Sequence, residues 1–507
     1  MILLIIVIVP VLLGGLMFLL PKNAGKLKGA LLIGGFAVNL ALNLAVVGRN
    51  IAFTQMWLKS ASFSLRLYSF SSFILICAAA LSLLAAIYAV YFSKNNNYNI
   101  TLFYAGMLLT VAMTNGAVLA ANLMLMLFFW QAVMGTLFMM IAAGGKNSYK
   151  TAVKAVVITG VTDLCMMFGI ALTSHLAGTL DINGLNLQFN SWGIAAFILL
   201  AVGAVSKAGA MPFHTWIPDA ADNAPTPFMA FMPGSVQKLL GVYLLSRLAL
   251  DIFKLAPGSA MSFVLMAMGI LTIICAVIMA VIQTDYKHML SYLSISQAGY
   301  IIAAIGTAVP ADITGVPLYT LINSICISGL FYISSAVEKR GGLGKKKPAA
   351  FVCVIFAAAL MMVSIFILIM MIGFMTTSGA VIFYIFAAVG VIFTAVLLIK
   401  FGSALFLGKE TEIADRYRKA PVLRQIYALA EKRYFDPYVV AGYAVNGFSW
   451  VSLKINDAIS WFYDVFAPRF VGAFTYVVKK AHNGSPARYI IWILGGVVII
   501  LAAYALL

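Results

Sequence analysis

The sequence predicts an all-α polytopic membrane protein of about fourteen transmembrane helices. Three observations predict it. Of 507 residues, 63% are hydrophobic and 9% charged, and the mean hydropathy is +1.03. Soluble domains carry roughly 25% charged residues, so the chain has too little polar surface to face water. The apolar runs reach about 20 residues without alternating, which selects helices over barrel strands among the structures that satisfy a backbone in lipid. Finally, the basic residues behind the net charge of +18 gather in loops between these runs and in one stretch near the C-terminus, as topology determinants do. That distribution excludes a nucleic-acid surface.

The spans fall at roughly 1–20, 30–48, 67–93, 101–120, 122–143, 150–175, 193–212, 224–250, 259–283, 288–309, 316–337, 350–372, 378–407 and 487–507. No secretory cleavage pattern follows Met1–Leu20; a Pro-Lys-Asn turn and a second apolar run come next, so the first run reads as a span. An N-terminus outside puts about 13 Lys/Arg in short inner loops, including Lys22–Lys28, Lys146–Lys154 and Lys339–Lys347, against about 4 in outer ones. Residues 408–486 differ from the rest. EKRYFDPYVVAGYAVNGFSWVSLKINDAISWFYDVFAPRF (431–470) mixes aromatics with charges, too polar to span and too apolar for a free linker. It reads as an amphipathic lateral helix on the bilayer surface, or a pair broken at Pro437 or Pro468, with a small cytosolic cap domain as the alternative. The final anchor, 487–507, follows GSPARY, where Arg488 marks its cytoplasmic end.

Cys77, Cys165, Cys275, Cys326 and Cys353 are scattered singly within apolar runs, and the four histidines are equally dispersed. No spacing suits zinc, haem or iron–sulfur ligation, so no metal or redox cofactor is expected in this chain. The informative residues are Asp163, Lys207 and Lys238, ionisable groups inside spans. A charge at membrane depth costs at least ~2.5–3.5 kcal/mol on insertion scales and calls for a partner or a function. A His-Thr-Trp turn and a Pro-Thr-Pro break lie between the two lysines, as in the broken helices of transporters.

The stretch GAVSKAGAMPFHTWIPDAADNAPTP (203–227), followed by Lys238 and GVYLLSR, resembles the antiporter-like membrane subunits of complex I, energy-converting hydrogenases and Mrp antiporters. QTDYKHMLSYLSISQAGYIIAAIG (283–306) resembles a second element of that family, in the family order. YFDPY and the final span after SPARY are similar to the distal complex I subunit that carries a lateral helix. The resemblance implies two inverted five-helix repeats with broken helices, 101–250 and a charge-depleted 259–407, after N-terminal helices over 1–100. In the second repeat the only interruption is a weaker one at Gly373–Gly379.

The family's switching lysine maps onto Lys207, the lysine before its Gly-x-Tyr motif onto Lys238, and its aspartate onto Asp163. The departures are as informative. Where the family has a Trp-Glu pair, NLMLMLFFWQAVMG places Gln131, which can hydrogen-bond Lys207 but cannot ionise. LINSICISGLFYI places Asn323 at a family histidine and Ile327 at a family lysine, and 360–379 holds no ionisable residue. The second-half proton path is therefore incomplete. His214, Asp219 and Asp222 are expected at the cytoplasmic mouth, where a capped helix break explains them as well as proton collection does. Asp285, Lys287 and His288 read as interface anchors or an ion pair, and Lys400 as a snorkelling lysine. For Lys207 and Lys238 the alternative to ion relay is a structural pairing with Asp163 and backbone.

The resemblance implies a non-catalytic membrane-arm subunit of a redox-driven H⁺ or Na⁺ pump in a prokaryotic cell membrane, with the lateral segment cytoplasmic. Its partners would be other membrane subunits and peripheral redox subunits that hold the Fe–S and metal centres. The alternatives are an Mrp-type cation/proton antiporter subunit and a degenerate scaffold.

Overall fold

The structure, a computed structural model, describes residues 1–21, 23–58, 61–93, 98–283, 285–338, 347–378 and 381–407, with Tyr438 and seven single residues beyond it. Met1–Tyr438 forms one compact unit and Val439–Leu507 a second, in which the seven described residues are helical. The expected lateral segment and final anchor otherwise lie outside the described residues, as do 339–346 of the basic loop.

The elements are α1 (Ile2–Leu19), α2 (Gly25–Ala45), β1 (Ile51–Leu58), β2 (Ala61–Leu67), α3 (Ser69–Ser93), α4 (Ile100–Leu119), α5 (Leu123–Ala142), α6 (Ser148–Ala177), α7 (Ser191–Ala208) and α8 (Trp216–Asn223). A broken span follows, from α9 (Pro227–Phe231) to α10 (Gln237–Arg247). Then come α11 (Ala260–Ile282), α12 (Tyr286–Gly306), α13 (Pro310–Glu338), α14 (Lys347–Ser378) and α15 (Val381–Leu407). Among the described residues, 13 helical spans are long and apolar enough to cross a membrane, at nearly the positions expected for the first thirteen. The protein is a multi-pass membrane protein.

Local chemistry starts and stops these helices. The side chains of Asn99, Asn122, Asn190 and Ser259 accept from first-turn amides of α4, α5, α7 and α11. Gly209, at φ +81, ends α7 in the left-handed region that a side chain disfavours. Small residues then bring helices together. A Cβ on Gly269 of α11 would lie 2.6 Å from Ala303 N of α12, so this pair packs backbone to backbone.

Two features depart from the expectation. Residues 51–67, read as an outer loop, form an antiparallel hairpin paired from Ile51↔Leu67 to Met56↔Ser62. Ala121 N donates to Ser64 O at 2.9 Å and Asn122 Nδ2 to Ser64 Oγ at 3.1 Å, which ties the hairpin to the α4–α5 turn. This marks one end of the bundle, the hairpin end. The α8 helix marks the other, where Ser148 Oγ at the start of α6 donates to Asn223 O. The second departure is in α14, which runs unbroken through Gly373 to Ser378; Gly379 lies outside the described residues. With neighbours at its i−4 and i+4 carbonyl and amide positions intact, one glycine weakens a helix without ending it.

The expected Pro-Thr-Pro at 225–227 leads into α9, and the break itself lies further on, at Met232–Val236, fully buried. Pro233 lacks an N–H, and the backbone widens into a π-type turn over Met232–Val236. The loosened carbonyls find hydroxyls: Ser235 Oγ donates to Phe231 O at 2.6 Å and Ala230 O at 3.0 Å, and Ser328 Oγ of α13 to Ala230 O at 2.8 Å. Irregular backbone at membrane depth survives only with such partners.

Candidate functional site

Asp163 lies about 22 Å along α6 from its first residue, at the middle of that 30-residue helix. Lys207, in the last turn of α7, places Nζ 3.3 Å from Asp163 Oδ2, and both side chains are 1% exposed. Trp130 of α5 donates from Nε1 to Asp163 Oδ1 at 2.9 Å, and its ring lies 5.6 Å from Lys207 Nζ. Three helices thus hold one carboxylate, one ammonium and one indole. Each carboxylate oxygen has its own donor, which a buried ion pair needs to offset desolvation. Gln131, expected to bond Lys207, is half-buried on the next position of α5 and makes no such hydrogen bond among the described residues. Asp163 already occupies the ammonium, and the adjacent residue, Trp130, is the one from this pair that reaches the site.

Lys238 is equally buried but has no carboxylate partner among the described residues. Its Nζ donates to Ser294 O and Ser294 Oγ, both at 2.9 Å, and to Asn323 Oδ1 at 3.4 Å. Asn323 continues into a neutral network. Its Nδ2 donates to Gln297 Oε1 at 3.0 Å, which also accepts from Tyr319 OH at 2.9 Å, and Gln297 meets Ser364 Oγ at 3.3 Å. Where the family has ionisable residues in the second half, α12, α13 and α14 carry amides and hydroxyls. Ser294 and Gln297 were in the quoted SISQ motif, but only the fold shows that they serve Lys238.

Gln237 immediately precedes Lys238 on α10. It is 1% exposed, with both amide atoms unpartnered among the described residues, as is Ser206 Oγ beside Lys207. Gly241, one turn on and on the same face as Gln237, presses against Ala204, Lys207 and Ala208 of α7, where a Cβ would collide with the backbone. Gln237 therefore faces the end of α7 while Lys238 faces α12.

At the α8 end, Lys154 Nζ pairs with Asp219 Oδ2 at 3.0 Å, and His288 Nε2 meets Asp222 Oδ2 at 2.8 Å. Asp285 caps α12 by accepting from Lys287 N at 3.1 Å, and Lys287 lies over the Tyr286 ring. His214 stacks near Tyr292, with ring centroids 6.2 Å apart. Asp222, Asp285 and His288 bring one ligand atom each within 4.8 Å, a spacing a cation could use, although histidine and carboxylate already satisfy one another there. Lys400 is 8% exposed, and Nζ donates to Val281 O at 2.6 Å and Gln283 O at 2.7 Å, capping the end of α11.

A cluster missed in the sequence occupies the hairpin end. Arg247 bonds the Tyr68 hydroxyl, donates to Tyr243 OH at 2.9 Å and pairs with Asp251 at 2.5 Å, its guanidinium 4.8 Å from the Tyr68 ring centroid. Burial pushes the Tyr68 phenol well above its usual range, so it stays a neutral acceptor.

Residues 120–347 match the family described as NADH:quinone oxidoreductase/Mrp antiporter, TM. That segment contains Asp163, Lys207, Lys238 and Asn323. The chain is 29% identical over 273 residues to NADH-quinone oxidoreductase subunit L of Pseudomonas aeruginosa, covering 50% of this chain and 43% of that protein. It is 30% identical to the Na(+)/H(+) antiporter subunit A1 of Staphylococcus saprophyticus over 50% of this chain and 34% of the relative. It is 28% identical to F(420)H(2) dehydrogenase subunit N of Methanosarcina mazei, over 57% and 64%. The chain thus spans less than two thirds of these curated relatives. Its fold matches a chain of the Mrp complex from Dietzia sp. (TM-score 0.70, 22% identity, 80% of each chain). It also matches a chain of an archaeal membrane-bound sulfane sulfur reductase (TM-score 0.69, 18% identity, 98% and 99%).

Proposed function

We propose that this chain is an ion-translocating, antiporter-like subunit of a complex I-like membrane assembly, in which partner subunits holding Fe–S and metal centres perform the redox chemistry. The observation that carries the reading is the buried Lys207–Asp163 pair beside a broken helix, followed by a second buried lysine with neutral partners only. Asp163 is the counter-charge of Lys207, and moving α6 and α7 apart would separate the two and change the charge facing the ion path. Here the counter-charge comes from α6, since Gln131 cannot supply it. Gln237 and Ser206, the chain neighbours of Lys238 and Lys207, add buried polar atoms that have no partner among the described residues. The α8 end, with Lys154–Asp219 and His288–Asp222, would be the cytoplasmic mouth, in a prokaryotic membrane with the N-terminus outside and the lateral segment cytoplasmic. The domains follow as N-terminal helices (1–100), two five-helix repeats (101–250 and 259–407), lateral segment (408–486) and anchor (487–507).

The near full-length likeness in fold to a chain of an archaeal respiratory complex favours the redox-driven reading over an Mrp-type cation/proton antiporter. The neutral Gln297 network favours a third reading, a scaffold subunit, because it replaces charges an autonomous path needs. Lys207→Ala in the assembled complex decides: the expected result is lost redox-driven ion pumping with assembly intact. Pumping at the wild-type rate would leave only the scaffold.

A further inference from the structure

Outside that path, amides converge where α1, α2 and α4 meet near the hairpin end. Pro10 in α1 has no N–H, so the Ile6 carbonyl lacks its helical donor. Asn115 of α4 fills the role: its Nδ2 donates to Ile6 O at 3.3 Å and to Asn39 Oδ1 at 2.9 Å. Asn43, one turn beyond Asn39 on α2, donates from Nδ2 to Asn39 O at 2.9 Å. Asn39, Asn43, Thr114 and Asn115 are all at most 1% exposed, inside spans. Four of their atoms have no partner among the described residues: Asn39 Nδ2, Asn43 Oδ1, Asn115 Oδ1 and Thr114 Oγ1.

The network itself fixes which way each amide points. Ile6 O can only accept, so Asn115 turns its nitrogen inward and its oxygen away. That nitrogen also requires an acceptor from Asn39, whose NH₂ is then the outward atom. The Asn39 main-chain oxygen likewise holds the Asn43 nitrogen and turns the Asn43 oxygen out. What remains is one amide donor, two amide oxygens and a hydroxyl. A bare cation would face the Asn39 N–H groups, and an anion would face two oxygens. A ligand that both gives and accepts hydrogen bonds fits all four, and buried water typically makes about three such bonds.

We propose that Asn39, Asn43, Thr114 and Asn115 enclose a buried water site that bridges α2 and α4. Water there completes the hydrogen bonding of groups that lipid cannot satisfy and holds the N-terminal helices on α4. The site is independent of the ion path, so it stands or falls apart from the proposed function. The test is a structure of the full chain, in the assembly with which it purifies, at a resolution that shows waters. Density is expected within about 2.7–3.2 Å of Asn39 Nδ2 and of at least one of the three oxygens. Asn39→Leu should lose it. The thermal midpoint should be the same in sodium, potassium and choline chloride. Amides re-paired with one another and no density would overturn the proposal. So would a midpoint that rises with sodium and stops rising in Asn115→Leu, which would make this a cation site. Should Asn39→Leu fail to fold, the wild-type density and the salt series still decide.

Discussion

Neutralising Asp163 tests whether the Lys207 pair is an energetic unit. At 3.3 Å the attraction between the two charges is about 5 kcal/mol at an effective dielectric near 20, against a desolvation cost of several kcal/mol per ion. The net worth of the pair is small, yet losing one partner strands the other in hydrocarbon. Asp163→Asn keeps an acceptor for Trp130 Nε1 and removes only the charge, so it should destabilise the protein by about 3–5 kcal/mol. Lys207→Met should cost a similar amount. The double variant should lie near wild type, because neither charge is left alone, so the coupling should approach the sum of the two single costs, about 6–10 kcal/mol. Equilibrium unfolding of the purified chain in a bilayer mimetic measures all four corners. Single costs that add within ~0.5 kcal/mol would refute the pairing as an energetic unit.

Gln237→Leu should leave assembly unchanged and slow redox-driven pumping, because it removes a buried amide, unpartnered among the described residues, next to Lys238; vesicle acidification measures it, and wild-type rates would show that Gln237 only fills space. Arg247→Lys keeps the charge but loses the planar stack on Tyr68 and the fork to Tyr243, so it should cost about 1–2 kcal/mol in unfolding experiments.

Much of the fold was legible because lipid imposes one rule, a long apolar helix, on nearly every segment. A broken span was legible from the Pro-Thr-Pro at 225–227, but not its position: that triplet leads into α9, and the distortion lies further on, at Met232–Val236, where Pro233 has no N–H to give. Lys207 and Asp163 stood out as ionisable residues in apolar runs. Their mutual distance did not, because 44 residues and a helix reversal separate them, and Trp130 gives no polar signal in an aromatic run. The partners of Lys238 were hidden for the same reason: Ser294 and Asn323 look ordinary until α12 and α13 pack on α10. The 51–67 hairpin was missed because its alternation is brief beside the spans that flank it. The partners of Lys400 were not legible, because only packing shows that α11 ends within its reach.

The position of Lys400 has a mechanical consequence. It lies two turns before Leu407, where α15 ends, and grips the last carbonyls of α11. Sliding α15 along its own axis would strip both carbonyls of their donor in a region with little else to offer them. The two helices are thus fastened as one rod at that end, and a tug on the chain after Leu407 is felt at α11, and through the tight α11–α12 contact at the helix that holds Ser294 and Gln297.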